Sequence, residues 1–115
     1  MLSFDSPLLQ GLESYLNVSA TRQTLIASNM ANIDTPGYKT QDLNFGQALQ
    51  AAEAGFDPAT AAHTVTGLLE RPDGNNVNLD RESLLMAQTQ LQYATGVALL
   101  RDEFHRLNLA ITGGA

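Results

Sequence analysis

The densest hydrogen-bonding chemistry in this 115-residue chain lies between Asn29 and Lys39, in the run Asn-Met-Ala-Asn-Ile-Asp-Thr-Pro-Gly-Tyr-Lys. Its amides, hydroxyl and carboxylate are suited to binding backbone groups rather than to making or breaking covalent bonds. Asn29 and Asn32 are poor helix formers and good terminators. Thr35 precedes Pro36 and is pushed out of the helical region. Pro36 presets the second position of a type II turn, and Gly37 supplies the positive φ of the third. The run therefore predicts a helix end, a turn and an extended exit. Side chains for covalent chemistry are sparse. With no cysteine there is no disulfide, thiolate metal site or thiol nucleophile. His63 and His105 are isolated, with no metal-ligand spacing and no Ser, Asp or Glu placed to suggest a triad. Phosphate-binding glycine motifs are missing, and Gly113-Gly114 reads as a helix stop. The sequence implies no enzyme: no catalytic residue, metal ligand, cofactor or small-molecule substrate.

The charge balance excludes a second class. The chain carries six Lys and Arg against twelve Asp and Glu, a net charge of −6. Scattered cations on an acidic chain do not make a nucleic-acid surface. No apolar run approaches the ~18 residues that read as a membrane span. Met1 to Pro7 lacks the basic and apolar regions of a cleaved signal peptide. Taken alone, these features give a cytoplasmic protein.

Two helical segments position the Asn29–Lys39 run. The first opens at Ser6, an N-cap, with Pro7 at the first helical position. It runs over about residues 6–33, with a stripe of Leu9, Leu12, Leu16, Ile26, Met30 and Ile33 interrupted at Ser19 and Gln23. The last covers about 78–112, opening at Asn78 with Asp80 and Glu82 favoured by the helix dipole in its first turn. Tyr93, Val97, Leu100, Phe104, Leu107 and Ile111 alternate steps of four and three, with Leu79 and Met86 in phase, as an a/d heptad seam does. Between them, about 34–77 is a turn and linker region. Phe45 to Ala54 predicts a short helix ended by Gly55, Thr64-Val65-Thr66 a short extended piece, and Asp57-Pro58 and Arg71-Pro72-Asp73-Gly74 turns.

The fold expected is all-α: one domain over 1–115, with long terminal helices packed as an antiparallel coiled coil and a loop-rich middle with a short helix. Two helices bury one stripe each, which hardly offsets the ~1–2 kcal/mol of ordering entropy per residue. The protomer is expected to be partly ordered alone and to complete its core from neighbours; the alternative is an independent small bundle. Tyr38 is expected between protomers, and Lys39 in solvent. Gly96 costs ~1 kcal/mol in a helix and marks either a mild kink or the close approach of another helix. Phe45 and Leu49 share one face of the short helix.

Asn29, Asn32, Thr35, Pro36, Gly37, Tyr38 and Lys39 form a motif that resembles the N-terminal signature of bacterial flagellar axial proteins. With Asp42-Leu43-Asn44-Phe45 it is most similar to the proximal rod members of the flagellar basal-body rod protein family. A second match lies at Asp73 to Glu82 with the long helix after it; the middle is shorter than is usual there. The resemblance implies a structural subunit that polymerises at the base of the rod, linking the export gate and MS ring to the axial structure. It implies homo-oligomeric contacts through the seam, and partners among the other proximal rod proteins, the rod adaptor FliE, the export gate and the MS ring. It places the protein in the periplasmic rod, exported by the flagellar route without a cleaved signal. It also implies that Phe45 and Leu49 are the Phe-x-x-x-aliphatic element read by the export gate, against the plainer reading of a small hydrophobic cluster. The rival from another class is a cytoplasmic helical adaptor that docks a partner through the seam.

Overall fold

A computed structural model describes residues 6–113. Helix α1, Pro7–Ala31, begins where Ser6 Oγ accepts the Leu9 N–H at 3.1 Å. It ends at the C-cap Asn32, close to the expected boundary. The predicted turn follows: Tyr38 N–H donates to the Thr35 carbonyl at 3.2 Å, and Gly37 adopts φ +75°. Strand β1, Gln41–Leu43, leads into helix α2, Phe45–Glu53, capped by Asn44. A 3-10 turn at Pro58–Ala61 then delivers strand β2, Ala62–Thr64. Helix α3, Leu79–Ile111, is capped by Asn78, whose side chain accepts the Arg81 N–H at 3.0 Å.

The all-α expectation needs correction. β1 and β2 pair antiparallel, with Gln41 opposite Thr64, Asp42 opposite His63 and Leu43 opposite Ala62. The extended piece falls two residues before the expected position. The cause is local. Asn29 in α1 holds both backbone groups of Gln41, accepting its N–H at 3.0 Å and donating to its carbonyl at 2.8 Å. That contact keeps residues after the turn extended along α1 and leaves the other strand edge free for β2.

The molecule is elongated, 66 × 25 × 18 Å. Asn29 in α1 reaches Glu82 in α3, while Tyr15 and Leu16 lie against Gly96, so the two long helices run in opposite directions. Buried Val18, Leu43 and Ala48 form an apolar cluster, with Leu25, Phe45, Leu49, Ala52 and Ala61 packed around, that joins α1 to β1 and α2. Leu9, Leu12 and Ile26 of α1 are buried as well. The buried positions of α3 are Glu82, Thr89 and Gly96, a line with a seven-residue repeat that is polar or small rather than apolar.

Of the two expectations for Gly96, close approach is the one found. A Cβ there would lie 2.8 Å from Leu16 Cδ2 and 3.0 Å from the Tyr15 ring. Glycine lets α3 lie against α1 at this point. Gly96→Leu is expected to destabilise the chain by ~1–3 kcal/mol, as overpacking does. Gly96→Ala should be closer to neutral, because the helix gains ~1 kcal/mol of propensity. Urea unfolding of both variants checks this; equal midpoints for Gly96→Leu and the parent would show that the helices do not meet there.

Candidate functional site

Asn29 is wholly buried near the end of α1. Its Oδ1 accepts the Tyr38 hydroxyl and the Gln41 N–H, both at 3.0 Å. Its Nδ2 donates to the Gln41 carbonyl and to Glu82 Oε1. All four of its bonding positions are filled, and they join α1, the turn, β1 and α3.

A second buried asparagine closes the other side. Asn75 Nδ2 lies 2.9, 3.1 and 2.8 Å from the carbonyl oxygens of Asn32, Ile33 and Thr35. These carbonyls lie at the helix end and in the turn after it, where those of Asn32 and Thr35 also accept the Thr35 and Tyr38 N–H groups. Its Oδ1 accepts the Val77 N–H at 2.8 Å, holding the loop in shape. Asn76 Oδ1 accepts the Thr40 N–H at 2.7 Å. Gly37 N–H donates to the Asp73 carbonyl at 2.8 Å, and Arg71 donates to the Ile33 carbonyl. Gly74 needs its positive φ of 86°, and a Cβ would stand 3.5 Å from the Gly37 Cα. The runs at 29–39 and 73–82, far apart in sequence, are thus one structure.

An ionic chain completes the clasp. Arg22 grips Asp42 with two bonds, at 3.0 and 3.1 Å. Arg81 bridges Asp42 at 3.0 Å and the buried Glu82 at 2.8 Å. Burial pulls the Asp42 carboxyl upward, but Arg22, the Leu43 N–H and Arg81 together outweigh it and hold its pKa below the ordinary 3.8. Every carboxylate here is neutralised and hydrogen-bonded, so none is left to act as a base or nucleophile. Among the described residues no group of His, Asp and Glu could hold a metal ion. The arrangement supports fastening rather than catalysis.

The structure gathers Asn29, Asn32, Thr35, Pro36, Gly37 and Tyr38 into this clasp. Inside it the Tyr38 hydroxyl donates to Asn29 of its own chain. One expectation fails there. Lys39 is not simply solvated: its ammonium donates to Glu70 at 2.8 Å and to the Gly74 carbonyl. Phe45 and Leu49 lie away from the clasp, packed on the core, with the Phe45 ring edge-on to Tyr15 at 5.4 Å. In α3, Val97, Leu100 and Leu107 are half-buried. Tyr93, Phe104 and Ile111 are exposed, at 39, 47 and 53 %. The isolated His63 and His105 are both exposed. Sequence reasoning missed the fastening roles of Arg22, Asp42, Asn75, Asn76, Arg81 and Glu82. One signal was available: Arg22 is the only cation of α1.

This clasp, between the end of one long helix and the start of another, occurs in a chain whose residues 12–39 match the family described as "Flagella basal body rod protein". The class is therefore that of structural rod proteins of the flagellar basal body, not of enzymes. Among curated relatives, the flagellar basal body rod protein FlgB of Aeromonas hydrophila is 32% identical, covering 97% of both chains. That of Salmonella typhimurium is 32% identical over 86% of this chain and 88% of its own. That of Bacillus subtilis is 28% identical over 98% of this chain and 99% of its own. The chain belongs to the FlgB family of flagellar basal body rod proteins.

Asp42→Asn is expected to cost ~1.5–3 kcal/mol at neutral pH, the range for hydrogen bonds to charged groups. A depressed folded-state pKa gives stability that is complete above the unfolded value and is lost as pH falls through the folded value. The stability gap between parent and variant should hold from neutrality downward and shrink below pH 3.8. Urea titrations across that range test it. A gap that widens with acid would contradict the assignment.

Proposed function

We propose that this chain is a proximal rod subunit acting as a single rod-type domain, which polymerises at the base of the rod and joins the export gate and MS ring to the axial structure. Its partners are further copies of itself, the other proximal rod proteins and the rod adaptor FliE. It reaches the periplasmic rod by flagellar export without a cleaved signal. The observation that carries this reading is the distribution of apolar surface on α3. The inward positions Glu82, Thr89 and Gly96 are polar or small, while Tyr93, Phe104 and Ile111 stay exposed. A seam of Tyr93, Val97, Leu100, Phe104, Leu107 and Ile111 is available to helices of neighbouring subunits, with which the terminal helices would form coiled-coil contacts. Family membership supplies the context in which such contacts have a use.

Phe45 and Leu49 serve export in this reading, engaged by the gate before the chain folds. Once folded, both pack on the core beside α1. Their two roles belong to different states of the chain.

Secretion and motility assays separate the steps. Phe45→Ala with Leu49→Ala should abolish secretion while intracellular levels stay similar. Normal secretion would remove the gate-recognition role, and degradation inside the cell would leave only packing. Leu100→Asp or Phe104→Asp should permit secretion and block rod assembly. Arg101→Ala should be milder, since exposed pairs contribute ~0–1 kcal/mol. Swimming Phe104→Asp cells would refute the seam.

A further inference from the structure

Phe45 and Leu49, one turn apart on α2, share a neighbour in α1. The Phe45 ring meets the Tyr15 ring edge-on, with centroids 5.4 Å apart. Leu49 lines, with Leu12, Tyr15 and Leu99, an apolar cleft where the three helices meet. Ala48 on the same helix is wholly buried against Val18 and Leu43. Tyr15 also touches α3. The two helices come so close at Gly96 that a Cβ there would lie 3.0 Å from Tyr15 Cδ1 and 3.2 Å from Cε1. The ring therefore lies against α2 and α3 at once. With α3 in place it has little room to swing away from Phe45, because a packed interior leaves no spare volume.

We infer that Tyr15, clamped by α3 at Gly96, is a cover over the Phe45–Leu49 pair, and that folding in this way switches export recognition off. The inference rests on the export role proposed for that pair and adds its regulation. One apolar face is not buried in its own chain and offered to a second protein at the same time. A gate that reads the side chains of Phe45 and Leu49 competes for them with Tyr15, Leu12 and Leu99. The cover draws on residues 12 and 15 from the first helix and 96 and 99 from the last. It is complete only when α3 has docked on α1. A chain with α3 undocked presents the pair, whereas a chain that has crossed and folded hides it, so recognition acts in one direction.

Two measurements read the cover and its effect. The chain has no native cysteine, so Ala48→Cys places a single thiol at the buried face of α2. Its labelling by a maleimide should be slow in the folded chain. Tyr15→Ala should speed it by about tenfold, as loss of the aromatic pair and of its buried area eases local opening. Gly96→Ala keeps the fold but displaces the ring, and should act in the same direction. The second measurement is capture by inverted membrane vesicles that carry the flagellar export gate. The folded parent should be captured poorly and the same chain freshly diluted from urea well. Tyr15→Ala and Gly96→Ala should fall between them. Asp42→Asn loosens the clasp and leaves Tyr15 in place. Compared at equal folded fraction, it should be captured no better than the parent.

Phe45→Ala with Leu49→Ala should abolish capture from either state. If that double variant, diluted from urea, is captured as well as the parent, the export role itself fails and the cover falls with it. If capture depends on the pair but is equal for folded and urea-diluted parent, the cover alone is overturned. The same holds if Tyr15→Ala gains no more than Asp42→Asn, or leaves the labelling rate unchanged.

Discussion

The tertiary structure depends on the burial of one primary amide. Asn29 lies inside the protein with both of its acceptor and both of its donor positions occupied. A buried amide without partners is costly. The turn must therefore bring back Tyr38 and Gln41, and α3 must begin where Glu82 can reach. Those requirements set the path of β1, and β1 in turn provides the edge for β2 and the approach of α2 to Val18. Asn75 plays the matching part from the other side, donating to carbonyls at the end of α1 and in the turn that follows.

The same clasp orders the charges. Arg22, Lys39, Arg71 and Arg81 are all drawn into ion pairs within the chain. Arg22 and Arg81 neutralise the buried Asp42 and Glu82, and a buried carboxylate needs both a countercharge and hydrogen bonds. Arg101 and Arg106, on the distal half of α3, are the cations outside these pairs. The cations of the clasp end are thus all paired within the chain, and the ones unpaired among the described residues lie toward the far end of α3.

The contact between α1 and α3 is polar at the Asn29–Glu82 end and close at Gly96. Gln92 Oε1 is even buried without a hydrogen-bond partner. Polar contacts of this kind fix which residues face each other more than they add stability. The helices are held in register by Asn29, Glu82 and Gly96, while Leu84, Leu91, Leu99 and Phe104 of α3 stay exposed.

Local physics was readable from the sequence. Ser6-Pro7 and Asn78 announce the helix starts, Pro36-Gly37 the turn, and Phe45 to Ala54 with Gly55 the short helix, because caps and turns are made by residues adjacent in the chain. The membership of the rod family was also readable, since its two motifs are contiguous runs. What could not be read was which of the two motifs' side chains would meet. Asn75 reaching Thr35, Arg81 reaching Asp42 and Glu82 reaching Asn29 are contacts across some 40 to 50 residues, with no periodicity to betray them. For the same reason Lys39 was expected in solvent rather than against Glu70 and Gly74. Heptad spacing gave the lines along α3 but not the direction each faces. That was decided by tertiary packing: the closest approach falls where a glycine admits Tyr15 and Leu16, and a missing side chain carries no weight in a hydrophobic pattern.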